Sequence, residues 1–155
     1  MKAIVGVALG TVLGLAMGAA ALAQGGGVAE IEAKMKEYIT IWNTHDAAQV
    51  LARVYRMPDT AMGTPAGLQK NFDDLKAQGY DHSQLYGVRG CLLTPETGLG
   101  EMDFTRLKTD GSVLQARRTS VYQLKKFPDG WRITSFGAGP VNCFAAPAAA
   151  PAKAN

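Results

Sequence analysis

The chain has 155 residues, 47% of them hydrophobic, and a formal net charge of +3 from 16 basic and 13 acidic side chains. That length supports one sizeable core and not two. The charge is small and interspersed, and no basic run carries interleaved aromatics, which argues against a nucleic-acid partner.

Residues 1–23 read as an export signal. Lys2 is their only charge, the uncharged run AIVGVALGTVLGLAMGAAALA follows it, and Ala21 and Ala23 supply the small side chains that signal peptidase accepts. A retained membrane anchor is the competing reading, since the run is nearly long enough to span a bilayer. Its Ala and Gly content, and the lack of a basic stop-transfer cluster, favour cleavage after Ala23. The mature chain is then periplasmic or secreted and not membrane-bound. Residues 24–27 form a short linker, 28–144 the domain, and 145–155, AAPAAAPAKAN, a disordered tail without apolar periodicity. Two cysteines, Cys91 and Cys143, fall in the domain. An oxidising compartment permits a disulfide between them, and two buried free thiols are the other reading.

Three helices open the domain. Val28, Ile31, Met35, Tyr38, Ile39 and Trp42 recur at spacings of three and four, one buried stripe on one helix. Val50, Leu51, Val54 and Tyr55 mark a second, shorter helix that Met57-Pro58 ends. Thr64-Pro65 is a cap residue with proline at the first helical position, followed by Leu68, Phe72 and Leu75 on a buried face and by Gly79. Four extended segments follow, about Gln84–Thr94, Gly98–Lys108, Val113–Lys126 and Trp131–Gly137, separated by the turn sequences PETG, TDGS and PDG. Connections this short make the strands antiparallel. The expected architecture is α+β, three helices packed on one face of a curved four-stranded sheet.

This order, with WNTHDAAQVLARVY, the proline after the second helix and the closing KKFPDGWRITSF, resembles the nuclear transport factor 2-like superfamily. The resemblance covers residues 28–137. It implies a cone with an internal cavity that holds a small apolar or aromatic molecule, as in ketosteroid isomerases, polyketide cyclases, scytalone dehydratase and limonene epoxide hydrolase. Catalytic members add polar groups to the cavity, often an aspartate as acid or base.

Each chemical candidate has a structural alternative. Asp46, three residues before Gln49, has the arrangement of a capping box, its carboxylate accepting from a first-turn amide while Gln49 reaches back to the cap amide. His45 is then a junction residue, and the adjacent acid and imidazole are not a relay. In YDHSQ, acid, imidazole and hydroxyl stand in succession, but strand alternation allows at most Asp81 and Ser83 to share a side, so a triad is discounted and His82 alone remains an acid/base candidate.

In GLGEMDFTRL, Glu101 and Asp103 point one way and Met102 and Phe104 the other. With the apolar pair inward, the carboxylates form a solvated face. With the acids inward, they enter an apolar cavity as proton-transfer groups, Asp103 as base and Arg118 as its buried partner, while Arg117 faces Glu101 outside. Tyr38, Trp42, Tyr86, Tyr122 and Trp131, with Glu101 and Arg118, are the candidate ligand contacts. The scattered histidines and cysteines suggest no metal site, and no cofactor is expected.

Three readings follow. The first is an exported domain binding a small, largely apolar ligand. The second is an isomerase- or dehydratase-type enzyme with Asp103 or His82 as base and Tyr38 or Tyr122 as hydrogen-bond donor. The third is an assembly module dimerising through its sheet.

Overall fold

A computed structural model of the protein describes residues 16–137 and 143–144. Residues 1–15 of the expected leader and the tail from 145 lie outside the described residues. Helix α1 (Ala16–Trp42) is followed by α2 (Ala47–Arg53), a 3-10 turn (Ala61–Gly63) and α3 (Pro65–Ala77). Strands β1 (Tyr80–Thr94), β2 (Thr97–Lys108), β3 (Val113–Phe127) and β4 (Gly130–Phe136) then form one antiparallel sheet in chain order. This is the expected α+β arrangement. Helix α1 runs through residues 24–27, so the backbone of the expected linker is helical. Among the described residues no helix is long and apolar enough to cross a membrane.

The helical stripes are buried as their periodicity requires. Ile31, Met35, Tyr38, Ile39 and Trp42 of α1 and Leu68, Phe72 and Leu75 of α3 join one core with Met102, Phe104, Tyr122, Leu124 and Ile133 of the sheet. Thr64 caps α3 by accepting from the Gly67 amide, with Pro65 at the first helical position. Helix α2 ends at Arg53, earlier than Met57-Pro58 would end it. The chain instead pairs with the sheet edge: Ile133 N donates to Val54 O at 2.8 Å and Arg56 N to Ile133 O at 2.9 Å. Backbone groups that would continue the helix are spent on β4, which hides part of that edge.

Helix α1 lies directly on β2 at two glycines. A Cβ at Gly98 would come within 2.4 Å of Ile31 Cδ1, and one at Gly100 within 2.5 Å of Met35 Sδ. A larger residue at either position would require the Ile31 or Met35 side chain to move, and at Gly98 would also crowd the Cys91 carbonyl. Beyond this contact the same face of β2 continues with Met102, Phe104 and Arg106, and the separation between helix and sheet is filled by aromatic rings.

Cys91 and Cys143 are bonded, across a sequence separation of 52 residues. The bond fixes residues 143–144 to the outer side of β1, where the Phe144 ring lies 5.2 Å from the Arg89 guanidinium carbon and Leu99, the cross-strand partner of Cys91, is buried. Because a crosslink restricts the unfolded chain, Cys91→Ser is expected to cost about 2–4 kcal/mol. The check is the urea midpoint of the variant against the oxidised protein, and an unchanged midpoint would mean that this corner is held without the bond.

Candidate functional site

The wedge between α1 and the sheet opens into a cleft of ≈ 420 Å³. Tyr38 and Trp42 reach it from α1, Tyr55 from the segment after α2, Met62 and Asn71 from the 3-10 turn and α3, Phe104 and Arg106 from β2, Arg118, Ser120 and Tyr122 from β3, and Phe136 from the end of β4. Each wall follows from local structure. Tyr38 and Trp42 are one helical turn apart and share a face. Phe104 and Arg106 share a side of β2, as do Arg118, Ser120 and Tyr122 on β3. Tyr55 is carried in by the bridge to β4.

The rings form a connected set. Tyr38 packs against Trp42 (5.7 Å between centroids), Tyr55 (5.5 Å) and Tyr122 (5.4 Å), and Phe136 lies 5.8 Å from both Tyr55 and Tyr122. The Tyr38 and Tyr55 hydroxyls share a hydrogen bond of 2.6 Å. Burial, the leading cause, raises the pKa of Tyr38, Tyr55 and Tyr122, and for Tyr122 hydrogen bonds with Tyr38 and Ser120 oppose it. All three therefore keep their protons and can donate. Among the described residues no aspartate, glutamate or histidine lines the cleft.

The acids of β2 are on the other side. Glu101 and Asp103 face outward, where a smaller trough of ≈ 330 Å³ is lined by both and by Arg89. Arg89 Nε donates to Glu101 at 2.7 Å, and Arg117 Nε donates to both Asp103 oxygens at 3.0 Å. The Arg117 hydrogen bond holds Asp103 below its ordinary pKa, the opposite of what an apolar cavity would do. The partners differ from the expected ones because register sets Glu101 opposite Arg89, while Phe104, not Asp103, is the Cα partner of Arg118. Tyr86 also lies outside, 45% exposed, with Arg117 over its ring at 4.4 Å. Trp131 is buried away from the cleft, its Nε1 donating to Glu30 at 2.8 Å. Of the residues singled out from sequence, the cleft gathers Tyr38, Trp42, Arg118 and Tyr122; it does not gather Asp103, His82, Glu101, Tyr86 or Trp131.

The histidines behave differently from one another. His82 Nδ1 is 2.7 Å from Asp81 Oδ2, with both side chains nearly half exposed. A register shift between Tyr80 and His82 interrupts the alternation that would otherwise part these neighbours. Ser83 is committed elsewhere, its hydroxyl 2.7 Å from Tyr80 Oη and its amide donating to Asn43, so no triad forms. His45 takes a positive φ of 56° and turns inward against Phe72 (5.6 Å) and Tyr80 (5.3 Å), with Nε2 buried and unpartnered among the described residues. Its neighbour Asp46 caps α2 by accepting from the Gln49 amide at 3.0 Å. The Gln49 side chain donates to the Asp46 carboxylate and not to the cap amide, which bonds to Thr44 Oγ1.

Sequence reasoning missed Arg106, Tyr55, Phe136 and Ser120 as cleft residues. For Arg106 a signal existed: it continues the alternation of Met102 and Phe104 by one more step. Among the described residues no three His, Cys, Asp or Glu side chains converge as metal ligands would.

A family model described as "NTF2-like protein (DUF6841)" matches residues 29–140. The chain belongs to this NTF2-like family. Among curated proteins, none matches the chain. Two solved structures from Novosphingobium aromaticivorans resemble this NTF2-like protein. One, described as an NTF2-like protein with a cystatin-like fold, has 16% identity and a TM-score of 0.55, covering 80% of this chain and 88% of its own. The other, described as a "putative aromatic ring hydroxylase", has 18% identity and a TM-score of 0.52, covering 68% and 82%. At such identity the likeness is one of fold.

The buried phenols make a pH prediction for the NTF2-like domain. Groups with raised folded-state pKa lend stability that is fully present below the unfolded value of about 10 and is lost as pH climbs through the folded one. Tyrosinate absorbance of these residues is therefore expected to appear together with loss of far-UV circular dichroism above about pH 10. Tyr55→Phe should make the alkaline decline shallower. Full tyrosine titration in a protein that is still folded would contradict this account.

Proposed function

We propose that this NTF2-like protein is a binding protein that takes a small aromatic molecule into the cleft between α1 and the sheet. The observation that carries the reading is the lining: rings of Tyr38, Trp42, Tyr55, Phe104, Tyr122 and Phe136 around ≈ 420 Å³, with hydroxyl and guanidinium donors among them. Ligand pockets of roughly 300–1,000 Å³ with apolar walls and a few polar groups are the usual form of such sites. The outward position of Asp103 and the exposed pair of His82 with Asp81 support binding over proton abstraction, because a base must reach the proton it removes. Assembly through the sheet draws less support, since the outer face carries the Arg89–Glu101 and Arg117–Asp103 ion pairs. Export belongs to the same proposal: a disulfide between Cys91 and Cys143 suits an oxidising compartment, and the leader suits a route to it.

Isothermal titration with the neutral probe 2-naphthol tests the cleft. One binding site per chain is expected. Ser120→Phe, which sends a ring into the cleft, should weaken binding by about tenfold or more, roughly 1.4 kcal/mol, with a thermal melt showing that the variant is folded. Undiminished binding by folded Ser120→Phe would reject the cleft as the site, and binding of neither 2-naphthol nor its carboxylate counterpart 2-naphthoate by the parent protein would reject the reading.

A further inference from the structure

The chain has seven arginines, all among the described residues. Five of them have a carboxylate partner: Arg53 with Glu37, Arg56 and Arg132 with Asp129, Arg89 with Glu101 and Arg117 with Asp103. The two that line the cleft, Arg106 and Arg118, have none among the described residues. Both guanidinium carbons lie about a ring's reach from the same side chain, 6.0 Å and 5.8 Å from the Phe104 centroid. Arg106 is further held over Trp42 at 5.9 Å and Tyr80 at 5.7 Å, and its Nε is buried without a hydrogen-bond partner. Arg118 makes one long bond, Nη2 to Ser120 Oγ at 3.4 Å.

We infer that the ligand is an aromatic carboxylate, its ring among the cleft's aromatic side chains and its carboxylate between Arg106 and Arg118. This rests on the cleft being the binding site. The inference follows from charge. Arg106 is half-buried with a desolvated Nε, and Arg118 is an exposed second positive charge lining the same cleft; a cation desolvated beside a like charge is costly unless an anion answers it. Aromatic faces stabilise a guanidinium and hold its orientation, but they do not neutralise it. Gln115, the residue paired with Arg106 in the ladder, also has a buried Oε1 without a partner among the described residues, the kind of acceptor that Arg106 Nε–H lacks. An amide oxygen would satisfy that one N–H and leave both charges. A carboxylate matches the planar fork of a guanidinium with two parallel hydrogen bonds and removes the charge imbalance at the same time. The protonated phenols add donors and no negative charge to compete.

The experiment is a paired titration of the intact protein with 2-naphthoate and 2-naphthamide, which share a ring system and differ in charge. The acid is expected to bind at least about tenfold more tightly than the amide, and its affinity should fall with added salt. Arg106→Gln and Arg118→Gln should each reduce acid affinity by about tenfold or more, and by a larger factor than they reduce amide affinity. Neither should lower the melting temperature of the free protein, because each removes an unneutralised charge; a variant that melts lower is replaced by Arg106→Lys or Arg118→Lys. With the charge kept and the fork lost, an intermediate acid affinity is expected there. Equal affinity for acid and amide, or unchanged acid affinity in the arginine variants, overturns the carboxylate assignment while leaving the cleft as the binding site. Binding of neither probe overturns both.

Discussion

The inner face of β2 increases in size along its length, and the shape of the molecule follows from that. Its residues are Gly98, Gly100, Met102, Phe104 and Arg106, alternate positions of one strand. At the glycine end no side chain separates strand from helix, and Ile31 and Met35 rest against backbone. At the other end Phe104 and Arg106 occupy the space, and α1 answers with Tyr38 and Trp42. A rigid helix that touches at one end and is propped at the other encloses a wedge, and the wedge is the cleft. The close contact also resists filling, since interiors this tightly packed do not yield to an added carbon without strain.

The same strand divides the charges. Its other alternate positions include Glu101 and Asp103, which face outward and meet Arg89 and Arg117 at the rim of a solvent-accessible trough. Their arginines are exposed while Glu101 and Asp103 are largely covered, and pairs open to solvent on one side add modestly to stability. Their effect is one of placement: with the acids outside, the basic groups inside have no internal counter-ion among the described residues. Period-two alternation thus separates the two signs of charge across the thickness of one strand, which gives an apolar cleft a positive interior without an unusual total charge.

Much of the scaffold was legible because it rests on short-range rules. The stripe from Ile31 to Trp42, the Thr64-Pro65 start of α3, the Asp46 cap and the three glycine- or proline-marked turns each depend on neighbours a few residues away, and each is present. The features that escaped depend on partners far along the chain. The early end of α2 requires Ile133, some eighty residues on, to offer its backbone. The contact of Asp81 with His82 requires a bulge set by the register of β1 on β2. The partner of Asp103 is decided by register as well, and a set of alternating positions does not reveal register. For the site, alternation correctly offered an apolar-inward reading of β2, and Arg118 on the inner side of β3. Carrying it one position further would have found Arg106. Tyr55 could not be found this way, because its position depends on the bridge that ended its helix.

The polar groups of the cleft are unequal in number by kind, and this limits what it can hold. Each phenol in it has one proton, and burial keeps those protons in place. Tyr38 and Tyr55 bond to one another, which uses one of their two protons and leaves the other for a different acceptor. Ser120 and Tyr122 add hydroxyls, and the two arginines contribute only donors. Asn71 supplies an amide oxygen on the lining, and the hydroxyl oxygens are further acceptors. A hydrocarbon placed there would leave donors unanswered, at a cost of roughly 1–3 kcal/mol for each one desolvated. A molecule with a flat apolar body and acceptor atoms at one edge would meet both the rings and the donors. On the binding reading proposed for the cleft, its selectivity lies in fixed hydrogen-bond donors, imposed by which alternate residues of β2 and β3 face the helix.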